Sequence, residues 1–144
     1  MKWALTQVTN ELHYWKMDQG NWSAELKYNG RAQSFRLTAG DKRLFFVERT
    51  GFLQSKFLVR TEYSQIAGEV HPGKSRYSGV VTIENKKFHY LVAEHSLQLS
   101  NKEQQISLAI DGEDAEKLTT AELSALLFST LRVANKQSAP LEMA

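Results

Sequence analysis

The chain of 144 residues contains no cysteine, only two prolines and no long apolar run. The lack of cysteine excludes a disulfide framework, a thiolate metal site and a cysteine nucleophile, and it fits a reducing cytosol. No segment approaches the roughly 18 apolar residues of a membrane-spanning helix, and "MKWALTQVTNELHYWK" lacks the apolar core of a signal peptide. We therefore expect a cytoplasmic protein without a transmembrane span, with a peripheral position at a membrane as an alternative.

Charge and motifs argue against several kinds of activity. A net charge of +2 is too small to favour nucleic acid as a partner. The sequence has no GxSxG, GxxxxGK[ST] or GxGxxG motif, and no two of its four histidines have the spacing of a helical zinc site. In "DGEDAE" (111–116) the glycine comes too early for a calcium-binding loop. We predict no catalytic residue, no metal site and no cofactor, and we expect the histidines at the surface or in turns.

Short strands are predicted over most of the chain. Asn29-Gly30 in "KYNGRA" is a strong signal for a two-residue hairpin turn, and further turn sequences follow at short intervals. Between the turns, apolar side chains alternate with polar ones, as in Ile106, Leu108 and Ile110. The segment "RLFFV" (43–47) is apolar on both faces, which indicates burial on two sides. About ten strands are expected between residues 2 and 110.

One helix is predicted after the strands, from Thr120 to about Lys136. Thr119 and Glu122 have the spacing of a capping box, in which each side chain bonds a backbone N–H of the other residue. The small hydroxyl residues of the helix are expected to bond back to the preceding turn; they are Ser124, Ser129 and Thr130. The helix is apolar nearly all round, and a surface helix would have a polar face. It is therefore expected inside the sheet. Capping of one barrel end or packing in a dimer interface is the main alternative, and a membrane-inserted helix is a further one.

Three segments carry a resemblance to a known family: "SFRLTAGDKRLFFVERTGFLQSKFLVRTEYSQIAGEV" (34–70), "VTIENKKFHYLV" (81–92) and "ELSALLFSTLRV" (122–133). Together they resemble the tubby C-terminal-like superfamily, which includes phospholipid scramblases and LURP-one-related proteins. The resemblance implies a mainly β fold, an antiparallel barrel of about 10–12 strands that encloses a C-terminal hydrophobic helix. We expect one such domain over residues 1–137 and a flexible tail over 138–144.

A non-enzymatic binding or adaptor domain is the function that this fold favours. Basic residues at turns or near aromatic residues could line a rim of the barrel and bind acidic phospholipid headgroups or a protein partner. They are Arg49, Lys56, Arg60, Lys74, Arg76, Lys86 and Lys87. A barrel that binds a small molecule is an alternative, as is an enzyme whose active site has no local signature. A cleft with clustered Glu and His side chains would favour the enzyme.

Enclosure of the helix gives a direct prediction for Leu127, at its middle. Leu127→Asp should abolish folding, because an enclosed position cannot accommodate a charge. Circular dichroism and urea denaturation measure the effect. A variant that folds with near-wild-type stability would show that the helix is not enclosed.

Overall fold

Eleven β-strands follow one another along the chain, and one long helix ends it. The computed structural model describes residues 1–20 and 22–143, with side chains for residues 1–20 and 22–135. The strands are β1 (Lys2–Thr9), β2 (Leu12–Gln19), β3 (Trp22–Asn29), β4 (Ser34–Ala39), β5 (Asp41–Thr50), β6 (Lys56–Thr61), β7 (Ile66–Pro72), β8 (Ser78–Ile83), β9 (Lys86–Ala93), β10 (Ser96–Ser100) and β11 (Gln105–Asp111); the helix is α1 (Thr120–Met143).

The strands form a closed barrel in which each strand pairs with the next along the chain. All of these consecutive pairs are antiparallel, and the barrel is closed by β1 and β11, which run parallel. The parallel pair follows from the odd number of strands, because in an up-and-down order the first and eleventh strands point the same way. The predicted strand number and barrel are thus confirmed, with one parallel pair in an otherwise antiparallel sheet.

The helix lies inside this barrel, as its sequence predicts. Every residue from Ala121 to Leu131 is buried, and the exposed fraction of Leu127 is 1%. The helix continues to Met143 instead of ending near Lys136. The side chains of the predicted tail, residues 138–144, lie outside the described part of the chain. The flexibility of this tail stays a prediction.

Aromatic side chains pack the sheet against the helix. Phe35 and Phe45 stack at 5.2 Å between ring centroids, and Phe128 of the helix meets both rings edge-on at 6.0 and 4.9 Å. Gly68 of β7 lies against the same phenylalanine, because a Cβ atom at this position would come within 2.9 Å of Phe128 Cδ1. The helix and the sheet therefore fit closely at this point, and the glycine makes the fit possible.

Two tryptophans of the first strands connect the sheet to the helix by hydrogen bonds. Trp3 donates from Nε1 to Thr130 Oγ1 at 2.9 Å, and Trp15 donates to the Glu122 carboxylate at 2.8 Å. The two acceptors are eight residues apart, about 12 Å along the helix axis. These bonds fix the depth and rotation of the helix, which apolar contacts alone leave less defined.

The hydroxyl groups inside the helix follow the prediction at two positions out of three. Ser124 Oγ donates to Thr120 O at 2.8 Å, and Thr130 Oγ1 donates to Leu126 O at 2.7 Å. Ser129 Oγ is buried and has no hydrogen-bond partner among the described residues. The expectation for Ser129 was therefore wrong.

The expected burial of "RLFFV" on both faces was also wrong. Phe45 and Val47 point into the barrel and are buried, but Phe46 points outward and is 40% exposed. Leu44 lies on the same outer face and is only partly covered. The described sheet is one layer around the helix, so its outer apolar residues have no second layer to cover them.

Replacement of Gly68 tests the fit between sheet and helix. We expect Gly68→Ala to lower the free energy of unfolding by about 1–3 kcal/mol, because the added methyl group overpacks the core against Phe128. Urea denaturation measures it. The double variant Gly68→Ala/Phe128→Leu should lose less stability than the sum of the single variants. Strictly additive losses would contradict a direct contact.

Candidate binding surface at the helix N-terminal end

The barrel end at which the helix begins carries an open cavity of about 440 Å³. We call this end the N-terminal mouth; it is formed by the turns at 51–55 and 73–77 around residues 119–121. Polar and apolar side chains line the cavity together, among them Gln33, Arg49, Phe57 and Arg76. The mouth therefore combines cations with apolar surface at one place.

The turn between β5 and β6 holds two large apolar side chains in solvent. Phe52 is 85% exposed and Leu53 is 82% exposed. Leu53 and Gln54 both have positive φ angles, 56° and 59°, a conformation that is uncommon for residues other than glycine. Such backbone is retained where surrounding contacts hold it, and it often marks a functional position. We call Phe52 and Leu53 the apolar tip.

A cation on β5 fixes the apolar tip. Arg49 donates from Nε to the Gln54 carbonyl oxygen at 2.9 Å, and its guanidinium group lies 5.7 Å from the centre of the Phe57 ring. Lys56 begins β6 directly after the turn, and Lys74 lies in the turn between β7 and β8. The apolar tip thus projects from a surface that carries positive charge.

Arg76 has a different role, since its guanidinium group holds the segment that leads into the helix. It donates to Leu118 O at 2.7 Å and to Glu116 O at 2.5 Å. Tyr77 adds a bond from its hydroxyl to the same Glu116 oxygen, and the Arg76 guanidinium lies 4.6 Å from the Tyr77 ring centre. Its donors are thus directed at the protein's own backbone, which makes Arg76 a structural clamp.

A buried carboxylate completes this end of the barrel. Glu122 is 2% exposed, and its oxygens lie 2.7 and 3.0 Å from His13 Nδ1, while one of them also accepts the Trp15 bond. Its backbone N–H donates to Thr119 Oγ1 at 3.2 Å, which is half of the predicted capping box. The carboxylate is directed at His13 and Trp15 instead of completing the box. A buried charge requires such partners.

The same surroundings change the acidity of two tyrosines. Burial is the largest cause of the raised pKa of Tyr28. A side-chain hydrogen bond with Thr119 lowers this pKa, and the nearby Glu122 raises it. Burial raises the pKa of Tyr90 to about 12. Both phenols therefore stay neutral across the physiological range.

The seven predicted rim residues lie at two ends of the barrel. Arg49, Lys56, Lys74 and Arg76 lie at the end of the barrel that forms the N-terminal mouth, and Arg49 and Arg76 line its cavity. Lys86 and Lys87 follow the turn between β8 and β9, at the end where the helix leaves the barrel. Arg60 bonds Glu48 at 2.6 Å and Ser64 O at 2.9 Å, toward that second end. They do not form one rim, and their role in binding stays a prediction.

Sequence reasoning missed the pairing of His13 with Glu122. His13 was expected at the surface or in a turn, yet it points inward and is about one-quarter exposed. Alternation along β2 could have revealed it, since His13 shares a face with Trp15 and Met17, both buried. His71 and His95 do lie beside surface carboxylates, Glu69 and Glu94.

Comparison of the chain with protein-family models, with curated proteins and with solved structures finds no match. The enclosed helix agrees with the fold that the tubby-like resemblance implies, but a barrel of eleven strands does not identify that superfamily, and membership stays a prediction. Within residues 1–20 and 22–143, no helix has the length and apolar character needed to cross a membrane. Among the side chains described for residues 1–20 and 22–135, no group of three or more that could hold a metal ion is found.

Replacement of Arg76 separates a clamp from a binding residue. Arg76→Ala should lower the free energy of unfolding by about 1.5–3 kcal/mol, because two charge-assisted hydrogen bonds to the backbone are lost. Lys74→Ala, in the same turn, should change stability by less than about 0.5 kcal/mol. Thermal and urea denaturation give both values. Equal stability of the two variants would contradict the clamp.

Proposed function

We propose that the protein is a non-enzymatic binding domain whose N-terminal mouth docks on acidic phospholipid membranes. The observation that carries the proposal is the apolar tip, Phe52 and Leu53, which is held in solvent beside Arg49 and Lys56. Phe52 and Leu53 have the largest exposed fractions among the large apolar side chains that the structure describes, and neighbouring exposed apolar groups rimmed by polar residues favour an interaction site.

The N-terminal mouth combines apolar side chains, which suit the acyl region of a bilayer, with cations, which suit its acidic headgroups. Apolar side chains gain free energy on entering the acyl boundary, about 25 cal/mol per Å² of apolar surface removed from water. Lys and Arg near an anionic surface each add on the order of 1 kcal/mol. Phe52 and Leu53 are 85% and 82% exposed, and Arg49 and Lys56 flank them on β5 and β6. In a docked protein the tip would enter the bilayer while these cations contact headgroups.

The alternatives have less support. The barrel interior is filled by the helix, whereas a carrier of a small molecule would use that space for its ligand. Glu122 and His13 form a carboxylate–imidazole pair of the kind that an enzyme could use. The Glu122 oxygens are directed at His13 and Trp15 inside the barrel, so the pair serves to satisfy a buried charge.

Vesicle sedimentation tests membrane docking. The protein should bind vesicles that contain phosphatidylserine, bind those of pure phosphatidylcholine much more weakly, and lose binding at high salt. Phe52→Ser/Leu53→Asn should weaken binding by roughly tenfold or more, a loss of about 1.4 kcal/mol or more. Asparagine suits the positive φ of residue 53, so the turn is retained.

A matched control lies at the other end of the barrel, where Tyr63 is 76% and Ile66 is 54% exposed. Tyr63→Ser/Ile66→Ser removes similar apolar surface and should leave vesicle binding unchanged. In Phe52→Trp, the added indole should shift its emission to shorter wavelength only with acidic vesicles. If the protein does not bind phosphatidylserine vesicles at low salt, the membrane proposal is wrong. If both double variants lose vesicle binding equally, the apolar tip is not the docking site.

A further inference from the structure

The outer face of β2–β5 carries a trough, made of two adjoining cavities, that the proposed membrane docking does not use. Its floor consists of outward side chains of β3 and β4, and its walls consist of outward side chains of β2 and β5. Two cavities of about 340 and 330 Å³ follow each other along it, and both are lined by Lys27 and Arg36. The trough is thus continuous through these two residues.

Strand register orders the trough into three rows. The upper row is Leu12, Asn29, Ser34 and Phe46; the middle row is Tyr14, Lys27, Arg36 and Leu44; the lower row is Lys16, Glu25, Thr38 and Lys42. Each row crosses β2, β3, β4 and β5 in that order. Both walls therefore change in the same way, from apolar in the upper and middle rows to lysine in the lower row.

The charge of the trough is strongly one-sided. It holds four cations, Lys16, Lys27, Arg36 and Lys42, against one carboxylate, Glu25, for a net charge of +3. All four cations are exposed, and none of them makes an ion pair with another described residue. Asp18, the next outward residue of β2 after Lys16, ends the cationic stretch. The upper half adds apolar walls at Leu12, Leu44 and Phe46.

We propose that this trough binds an extended acidic segment of a partner protein, with the pattern apolar–x–acidic–x–acidic read from the upper to the lower row. The rows are two residues apart along each strand, about 6.8 Å. Side chains on one face of an extended peptide repeat at the same distance. An apolar residue would contact Leu12 and Phe46, the next acidic residue Lys27 and Arg36, and the last one Lys42 beside Thr38.

Three features favour a peptide over other anions. The backbones of β3 and β4 are paired on both sides, so the segment would be recognised by side chains and not by strand addition. Neither cavity is lined by the apolar tip, so a bilayer that the tip enters would leave both cavities to another ligand. Single-stranded nucleic acid needs aromatic faces for its bases, but the ring of Tyr14 already carries Lys27 Nζ at 5.5 Å from its centre.

Fluorescence anisotropy with the full chain tests the assignment. The probe is a fluorescein-labelled peptide of alternating residues with one leucine followed by two glutamates in the proposed pattern, and glutamine replaces glutamate in its matched control. Tight binding of the glutamate peptide, at least tenfold weaker binding of the glutamine peptide and loss of affinity at high salt are expected. Equal affinity for the two peptides, or no binding of the glutamate peptide, would overturn the proposal.

Charge reversal locates the site. Lys27→Glu/Arg36→Glu should abolish peptide binding and leave the melting temperature unchanged, since both side chains are exposed. Lys86→Glu/Lys87→Glu makes the same change of net charge on β9 and should bind the peptide at least tenfold more tightly than the trough variant. Leu44→Asn/Phe46→Ser should also weaken the binding of the glutamate peptide.

Rival ligands are part of the same experiment. Oligothymidylate that binds more tightly than the glutamate peptide, and displaces it, would show a nucleic-acid site instead. The trough variants should leave sedimentation with phosphatidylserine vesicles largely intact, and Phe52→Ser/Leu53→Asn should leave peptide binding intact. If Phe52→Ser/Leu53→Asn weakens peptide binding and Lys27→Glu/Arg36→Glu does not, the trough is not the peptide-binding site.

Discussion

A helix that is apolar on nearly every side has to be covered on every side, and the rest of the fold depends on this requirement. Eleven strands surround α1, and the helix fills the space that a barrel of this size would otherwise leave open. Each part needs the other, because the described sheet is one layer and buries its inner face only against the helix. We therefore expect sheet and helix to unfold together.

Polar groups set the position of the helix in an otherwise apolar interior. Trp3 and Trp15 reach Thr130 and Glu122, and Arg76 holds the carbonyl groups of the segment just before the helix. Directional bonds of this kind distinguish one axial position of the helix from others of similar hydrophobic burial. Two bonds come from the first strands and two from the turn after β7, so that the helix is held from separate parts of the barrel.

A closed barrel leaves function to its turns and its outer face. Its strands are paired with neighbours around the whole circumference, so most of the backbone is unavailable for strand addition, and recognition depends on side chains. The apolar tip at the N-terminal mouth and the trough on β2–β5 are two such surfaces, each with cations beside apolar residues. They lie on different parts of the barrel, so the membrane proposal and the peptide proposal can be tested independently of each other.

The sequence by itself determined several local features: the alternation of the strands, the helix start at Thr119–Thr120 and the need to enclose the helix. These follow from residue conformation and periodicity over a few residues. The two-residue turn predicted at Asn29-Gly30 was wrong, because Asn29 pairs with Ser34 and leaves a four-residue loop, and neither Asn29 nor Gly30 has the positive φ that such a turn requires. Only the tertiary structure decided how distant residues meet. It brought His13 to Glu122, 109 positions apart, turned Arg76 into a clamp, divided the basic residues between two ends, and aligned four strands into a trough. Strand register and barrel closure control these contacts, and they are collective properties that no single segment encodes.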